Sequence, residues 1–123
     1  MIKGYRDFYY NVKDMSRAIQ FYQDVFGLKV TYGNEHWTSM IIGNLSLGLH
    51  GTEGAAVPMT PRDSHGQHCG GTLTFHSDNI AEDRKKIENA GGKILGDTDQ
   101  PWGHMLIFED LDGNVLKLMN PKS

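Results

Sequence analysis

The sequence has a single cysteine, Cys69, so no disulfide can form within the chain. It also lacks a long apolar run, because no window approaches the ~18 consecutive apolar residues typical of a membrane-spanning helix. Its first residues show no apolar segment of the kind found in secretory signal peptides. These absences favour a reducing compartment, and we expect a cytoplasmic protein without a membrane partner.

Basic residues are also scarce, with 12 Lys and Arg against 15 Asp and Glu and a formal net charge of −3. The longest basic run, residues 84–86, lies in a predicted helix and is typical of a solvated helix face. Without a basic face, a nucleic-acid partner is not expected. A phosphate-binding loop, a dinucleotide fingerprint and a serine nucleophile elbow are absent as well.

The pattern of apolar residues predicts the same order of elements in both halves of the chain. In the first half, a strand over 4–12 precedes a helix that begins after Asp14 and ends at Gly27. The remaining predicted strands of this half cover 28–32, 36–42 and 45–50. In the second half we predict a strand over 72–76, a helix over 79–90, and strands over 93–95, 104–109 and 115–119.

A fixed offset of 65 residues supports a duplication. It aligns Asp14 with Asn79, which are both candidate helix N-caps. It also aligns Gly27 with Gly92, the glycines that end the two predicted helices. The sequence therefore predicts an α+β fold of tandem βαβββ modules. Module one covers 1–51, a Gly- and Pro-rich linker covers 52–71, and module two covers 72–123.

Two stretches resemble a known superfamily. The stretch from Val12 to Leu28 is similar to the first-module signature of the vicinal-oxygen-chelate superfamily, which includes glyoxalases, bleomycin-resistance proteins and extradiol dioxygenases. The stretch from Phe108 to Val115 is similar to the final hairpin of the second module, although Leu111 replaces the usual proline. The resemblance implies a curved, cup-shaped mixed sheet with helices on its outer face, a site on the concave face, and a homodimer.

Metal-dependent members of this superfamily have four ligand positions on the concave face, usually His, Gln or Glu. Three of these positions correspond here to Asp7, Thr72 and Lys117. The fourth lies on 45–50, where counting from Gly43 gives Leu47, whereas strand alternation favours His50. Threonine is a weak ligand and a lysine cation repels a metal. We therefore predict that the usual metal site is absent and that no cofactor is bound, with a divalent metal as the less favoured alternative.

Lys117 has two interpretations, a salt bridge to Asp7 or a contact with an anionic ligand group. Trp37 and Trp102 are candidate ligand-binding residues, with core or dimer-interface packing as the alternative. His104, next to the Trp102-Gly103 pair, is a further ligand-binding candidate.

Other histidines are candidates for chemistry. His50 and His76 are candidate general bases, although a lone strand histidine is more often structural. In the linker, the group His65, His68 and Cys69 predicts either a zinc or nickel site or a polar loop.

Two functional hypotheses follow. The first is a non-catalytic protein that binds an aromatic or amphipathic small molecule in a cup lined by tryptophans and tyrosines. The second is an enzyme of the same superfamily, a lyase, isomerase or dioxygenase, that uses a relocated metal or metal-free acid–base catalysis. The aromatic content and the poor ligand set favour the first hypothesis, and a pure scaffold role is a remote third.

Overall fold

The computed structural model describes residues 1–58 and 70–122. The chain divides into two compact units, Met1–Val57 (unit one) and Pro58–Ser123 (unit two), and the division falls within the predicted linker. The elements are β1 Phe8–Val12, α1 Met15–Phe26, β2 Lys29–Gly33, β3 Trp37–Ile42, β4 Leu45–Gly51, β5 Leu73–His76, α2 Ile80–Asn89, β6 Lys93–Gln100, β7 Gly103–Glu109 and β8 Val115–Pro121. The predicted tandem βαβββ order is confirmed.

Each unit holds one four-stranded mixed sheet with the same topology. The strand order is β1-β4-β3-β2 in unit one and β5-β8-β7-β6 in unit two. The first and last strands of each unit pair in parallel, and the other pairs are antiparallel. Phe8 pairs with Leu47, and Leu73, which lies 65 residues after Phe8, pairs with Leu116. The duplication seen in the sequence therefore extends to the register of the strands.

Helix α1 begins and ends where the sequence predicts. The Asp14 carboxylate accepts a hydrogen bond from the backbone N–H of Arg17 at 3.2 Å, which satisfies a free donor of the first turn. Gly27 has a φ of 67°, and its N–H donates to the Gln23 carbonyl at 2.9 Å. The buried face of the helix consists of Ala18, Phe21, Tyr22 and Val25. This face, with Met40, Leu47 and Leu49, forms the core of unit one.

Helix α2 covers the second sheet with fewer apolar residues. Asn79 caps it by accepting a hydrogen bond from the backbone N–H of Glu82 at 3.2 Å. Only Ile80 and Ile87 are buried on the helix, and they lie in a core with Leu106, Phe108, Leu116 and Leu118. Gly92 follows the helix closely, because a Cβ there would meet Ile87 Cγ2 at 2.6 Å. The stop glycine is therefore also required by packing.

Strand β6 is longer than the predicted strand, since it continues from 95 to Gln100 and forms a hairpin with β7 around Pro101 and Trp102. Aspartate and glycine disfavour strands, which is why the pattern ended the strand early. In the structure Asp97 pairs with Arg84 of α2 at 2.6 Å, and Asp99 pairs with Lys122 at 3.1 Å. These tertiary ion pairs compensate for the poor local propensity.

Among the described residues, no helix has the length and apolar character needed to cross a membrane.

Candidate functional site on the helix-free faces

Each sheet has one face covered by its helix and one helix-free face, and β4 shows which residues belong to which. Tyr10 stacks with Tyr22 of α1 at a centroid distance of 6.5 Å and pairs with Leu49 across the ladder. Leu47 and Leu49 therefore lie on the helix side, where they are 1% and 0% exposed. His50 lies on the opposite, helix-free face and is exposed. Between the two alternatives for β4, only His50 can serve a site on this face.

Three rings on the helix-free face of unit one form a cluster, which we call the aromatic shelf: Tyr9, Trp37 and His50. The Tyr9 and Trp37 centroids are 5.5 Å apart at an angle of 62°, and the Tyr9 and His50 centroids are 6.0 Å apart. Trp37 and His50 are directly paired residues of β3 and β4, with centroids 6.4 Å apart. Tyr9 keeps 53% of its surface exposed. The shelf therefore presents apolar ring surface next to polar ring atoms.

Gly48 allows the shelf to form. A Cβ at this position would lie 2.3 Å from Cη2 and Cζ2 of Trp37 and 3.1 Å from Cβ of Tyr9. The indole therefore crosses β4 directly over the glycine, in space that any side chain would fill. Its Nε1 donates to the Ser39 hydroxyl at 2.8 Å, which fixes the orientation of the ring.

His50 is oriented by a neighbouring strand. Its Nδ1 lies 2.9 Å from the Asn11 amide oxygen on β1. An amide oxygen can only accept, so the contact is made by the Nδ1–H tautomer. In the neutral ring, Nε2 then keeps a lone pair and is the atom that a proton or a ligand would meet.

Asp7 lies directly before β1, beside a small polar cavity of about 310 Å³. The residues lining this cavity include Asp7, Thr31, Ser39, Ile41, Ser46 and Gly48. Among the described residues, the carboxylate forms an ion pair with the exposed Arg6, with Nε and Oδ2 3.9 Å apart. An ion pair this exposed contributes little to stability, so the carboxylate is available to a ligand.

The helix-free face of unit two has a different character. Thr74 pairs with Lys117, and His76 pairs with Met119, so Thr74, His76 and Lys117 share one face. Thr72 lies directly before β5, two residues from Thr74. Lys117 is half-buried, and within residues 70–122 it forms no ion pair. This face therefore carries a cation and hydroxyl groups.

His104 and Trp102 lie elsewhere in unit two. His104 has the strand parity of the buried Leu106 and Phe108, which places it on the face that carries α2. Its Nε2 contacts the Asp97 carboxylate, and its Nδ1 lies 3.5 Å from that of Asp99. Trp102 is 59% exposed at the β6–β7 turn. The structure thus does not bring these two residues to the face that holds Lys117.

The contacts of His104 belong to a chain of charges that we call the ion-pair network: Glu88, Arg84, Asp97, His104, Asp99 and Lys122. The hydrogen bond to Asp97 raises the pKa of His104 above its usual value, although burial opposes it. Burial alone would raise the pKa of Asp97, but hydrogen bonds from Arg84 and His104 outweigh it and lower that pKa. Lys122 lowers the pKa of Asp99. The network therefore favours the protonated histidine.

The chemistry of these residues does not fit the divalent metal of the superfamily. Among the residues at the positions of the superfamily's metal ligands, Asp7 and His50 offer usual ligand atoms. Thr72 is a weak ligand, and Lys117 carries a positive charge. In the part of the chain that the structure describes, no three His, Cys, Asp or Glu side chains are grouped as a metal site would require. His65, His68 and Cys69 lie outside the described residues.

The comparisons with known proteins identify the family. The family model described as Glyoxalase/Bleomycin resistance protein/Dioxygenase superfamily matches residues 6–118. The chain belongs to this superfamily. The resemblance drawn from the two sequence stretches is thereby confirmed over nearly the whole chain. The comparison with curated proteins gave no match.

Solved structures of this superfamily share the fold of the chain. The fosfomycin resistance protein FosX of Listeria monocytogenes has a TM-score of 0.78 at 17% identity, over 99% of this chain and 96% of FosX. FosX of Mesorhizobium loti has a TM-score of 0.74 at 15% identity, over 99% of this chain and 95% of that FosX. A glyoxylase/bleomycin resistance protein/dioxygenase domain from Frankia sp. EAN1pec has a TM-score of 0.75 at 18% identity, over 100% of this chain and 95% of that domain.

Sequence reasoning missed part of the shelf. It named Trp37 and His50 as candidates, but it did not identify Gly48 as a requirement. The alternation of Leu47, Gly48 and Leu49 was the available signal, because a glycine opposite two buried leucines marks a close approach on the other face. The ion-pair network had no such signal, because its members come from separate elements.

Proposed function

We propose that this superfamily member binds an aromatic or amphipathic small molecule on the aromatic shelf, without a divalent metal at the usual positions. The observation that carries the proposal is the Trp37 indole lying over Gly48, held by Ser39 and flanked by Tyr9 and His50. A rigid, partly exposed ring surface of this kind suits a planar apolar ligand.

Polar groups beside the shelf would orient the ligand. His50 Nε2 is free of the Asn11 contact, and Asp7 with Ser46 lines the small cavity on the same face. A ligand with one flat apolar part and one polar part therefore satisfies both surfaces. Separately, the helix-free face of unit two carries Lys117, Thr74 and His76, which we propose as contacts for an anionic group.

The test uses 8-anilinonaphthalene-1-sulfonate, an aromatic, amphipathic anion, with titration calorimetry as the readout. We expect Trp37→Ala to weaken binding at least ~10-fold, because truncated aromatic anchors typically have the largest effects. Trp37→Phe should retain part of the affinity, since a smaller ring still provides a flat surface.

Trp102→Ala is the matched control for the loss of a tryptophan. We expect a smaller change in affinity than for Trp37→Ala, because Trp102 lies at an exposed turn. Equal affinity of the wild type and Trp37→Ala, with both folded by circular dichroism, would overturn the assignment to the shelf. A larger loss in Trp102→Ala would move the ligand site to the β6–β7 turn.

The second candidate function is an enzyme of the superfamily, a lyase, isomerase or dioxygenase. In its favour, FosX of Listeria monocytogenes is described in a complex with Mn(II) and 1S,2S-dihydroxypropylphosphonic acid, and in another with Mn(II) and a sulfate ion. In this chain His50 and His76 are the candidate bases, and Nε2 of His50, which is free of the Asn11 contact, would be the atom that accepts a proton.

Metal titration separates the two candidates. Protein stripped of metal would be titrated with Mn(II), Ni(II) and Zn(II) while the bound metal is measured. We expect no one-to-one complex that depends on Asp7. Tight uptake with a stoichiometry of one, lost in Asp7→Ala, would contradict the binding-protein proposal and favour the enzyme.

The superfamily resemblance also leads us to propose a cytoplasmic homodimer. Light scattering after gel filtration should give twice the 13.8 kDa of one chain. A mass of one chain over a range of loading concentrations would contradict the dimer.

A further inference from the structure

A larger cavity of about 780 Å³ lies on the other side of the unit-one sheet. Its walls come from the first turns of α1, the β2–β3 turn and residues 53–54, and its apolar surface from Met15, Ile19 and Val30. Val30 pairs with the buried Met40, which places both on the helix side. The cavity is therefore separate from the aromatic shelf, and its volume is within the ~300–1,000 Å³ of small-molecule sites.

Thr38 contributes an unusual polar group to this cavity. Its partner across the ladder is Leu49, so its side chain points to the helix side, and the residue is 0% exposed. Among the described residues its hydroxyl oxygen has no hydrogen-bond partner. Buried hydroxyls are nearly always paired, because an unpaired one loses its hydration without compensation. A ligand that enters the cavity and offers a hydrogen-bonding group would satisfy this hydroxyl.

The mouth of the cavity is acidic. Glu35 and Glu53 lie on either side of His36, with oxygens 3.5 and 3.2 Å from its Nε2 and Nδ1. Both glutamates line the cavity, as does Asp14, whose carboxylate is occupied as the helix cap. Lys13 is the only cation among the lining residues that the structure describes. The charge at the mouth therefore favours a cation over an anion.

We propose that this cavity is a second binding site, for a small amine with a compact apolar body and a hydrogen-bonding group at its far end. The apolar body would contact Met15, Ile19 and Val30. The far group would pair with the Thr38 hydroxyl, and the ammonium would lie at the acidic mouth, beside the Glu35 or Glu53 carboxylate. The site is independent of the ligand proposed for the shelf.

Tyramine is the probe, since it combines an ammonium, an aromatic ring and a phenol at the far end. Phenethylamine lacks the phenol, and 3-(4-hydroxyphenyl)propionate replaces the ammonium with a carboxylate. Millimolar titrations followed by amide NMR should move the signals of Ser16, Gly33 and Gly54 with tyramine. The propionate should bind more weakly than either amine.

Thr38→Val tests the buried hydroxyl with little change in shape. It removes an unpaired buried group, so we expect the variant to fold and to unfold at the same or a higher temperature. Tyramine should bind it about threefold to tenfold more weakly, while phenethylamine should bind both proteins equally. Thr98→Val, an exposed strand threonine in unit two, is the matched control and should change neither affinity.

Two results with the wild type and Thr38→Val would overturn the proposal, and a third concerns a double variant. One is an equal affinity of tyramine for the wild type and Thr38→Val. The other is a set of amide shifts centred on Ser39, Gly48 and His50, which would place the amine on the shelf and leave the shelf proposal intact. The charge at the mouth is tested by the double variant Glu35→Gln, Glu53→Gln, which should weaken both amines. Unchanged affinities there would overturn the role of the acidic mouth and with it the amine class.

Discussion

The two units share a backbone pattern but bury their helices differently. In unit one, α1 inserts Phe21 and Tyr22 against the sheet, and Tyr22 stacks with Tyr10 and Phe26. In unit two, α2 buries only two isoleucines, and an ion pair between Arg84 and Asp97 attaches the helix to the extended β6. Helix α1 is thus held mainly by aromatic packing, whereas α2 is also attached by charged groups at the surface. Duplication has thus preserved the strand ladder while the means of attaching the helix diverged.

The helix-free faces diverge at equivalent positions. Tyr9 pairs with Gly48 in unit one, and Thr74, 65 residues after Tyr9, pairs with Lys117 in unit two. A glycine makes room for an indole in the first case, and a lysine adds a cation in the second. One register therefore supports an apolar surface in one unit and a charged surface in the other.

The largest effect is expected from breaking the aromatic core of unit one. Tyr22→Ala should lower the free energy of unfolding by about 3–5 kcal/mol, because it removes a fully buried ring and leaves a cavity. Urea denaturation measures the change. Tyr32→Ala is the control, since Tyr32 is exposed, and it should cost less than ~0.5 kcal/mol. Similar losses in both variants would mean that the packing of α1 does not determine the stability of unit one.

A smaller effect is expected at Gly48. Gly48→Ala should cost about 1–3 kcal/mol, because the new methyl group would overlap the Trp37 indole. Gly96→Ala in unit two is the matched control: the nearest atom to a Cβ there is Ile107 Cδ1 at 3.8 Å, so we expect no loss and up to ~1 kcal/mol of gain. A neutral Gly48→Ala with unchanged tryptophan fluorescence would contradict the close contact of the indole with β4.

The order of elements could be predicted from the sequence because local signals coincide with the tertiary structure. Asp14 and Asn79 cap the helices as expected, and Gly27 adopts the left-handed conformation that its position predicts. The alternation on β4 also predicted the faces of Leu47, which is buried under the helix, and His50, which is exposed on the other side. Where one face of a strand is buried, the alternation of apolar residues in the sequence encodes the register, because a slip of one residue would expose all the apolar side chains.

Contacts between residues that are distant in the chain could not be predicted from the sequence. The end of β6 was missed because its aspartates disfavour a strand locally, while their partners Arg84 and Lys122 lie 13 and 23 residues away in the sequence. His104 was expected near a ligand; its strand parity places it on the helix side, where it contacts Asp97 and Asp99, two residues of another strand. Such pairings depend on side-chain geometry, which neither periodicity nor composition encodes.

The ion-pair network predicts that the difference in melting temperature between the wild type and His104→Gln depends on pH. Because the folded-state pKa of His104 is raised above 6.5, its protonated form stabilises the fold below about pH 6.5, and this contribution is lost as the pH rises through the folded pKa. Asp97 has a lowered pKa, so its contribution is lost as the pH falls below 3.8. The difference in melting temperature should therefore be largest between about pH 4.5 and 6, on the order of 1–3 °C.

Asp97→Asn provides the control for this pH profile. In that background the His104→Gln difference should lose most of its pH dependence, because the main partner of the imidazolium is gone. A difference that grows above pH 8 would contradict the sign of the pKa shift.

The smallest effect is expected at Lys117, the position equivalent to Gly48. Lys117→Met keeps most of the aliphatic chain and removes the charge, and unit two offers this lysine no ion-pair partner among its described residues. The free energy of unfolding should therefore change by less than ~0.5 kcal/mol. Asp7→Asn and the double variant complete a thermodynamic cycle. A coupling energy above about 1 kcal/mol would contradict this expectation and favour the Asp7–Lys117 salt bridge that the sequence left open. An absence of coupling would favour the other interpretation of Lys117, a contact with an anionic ligand group.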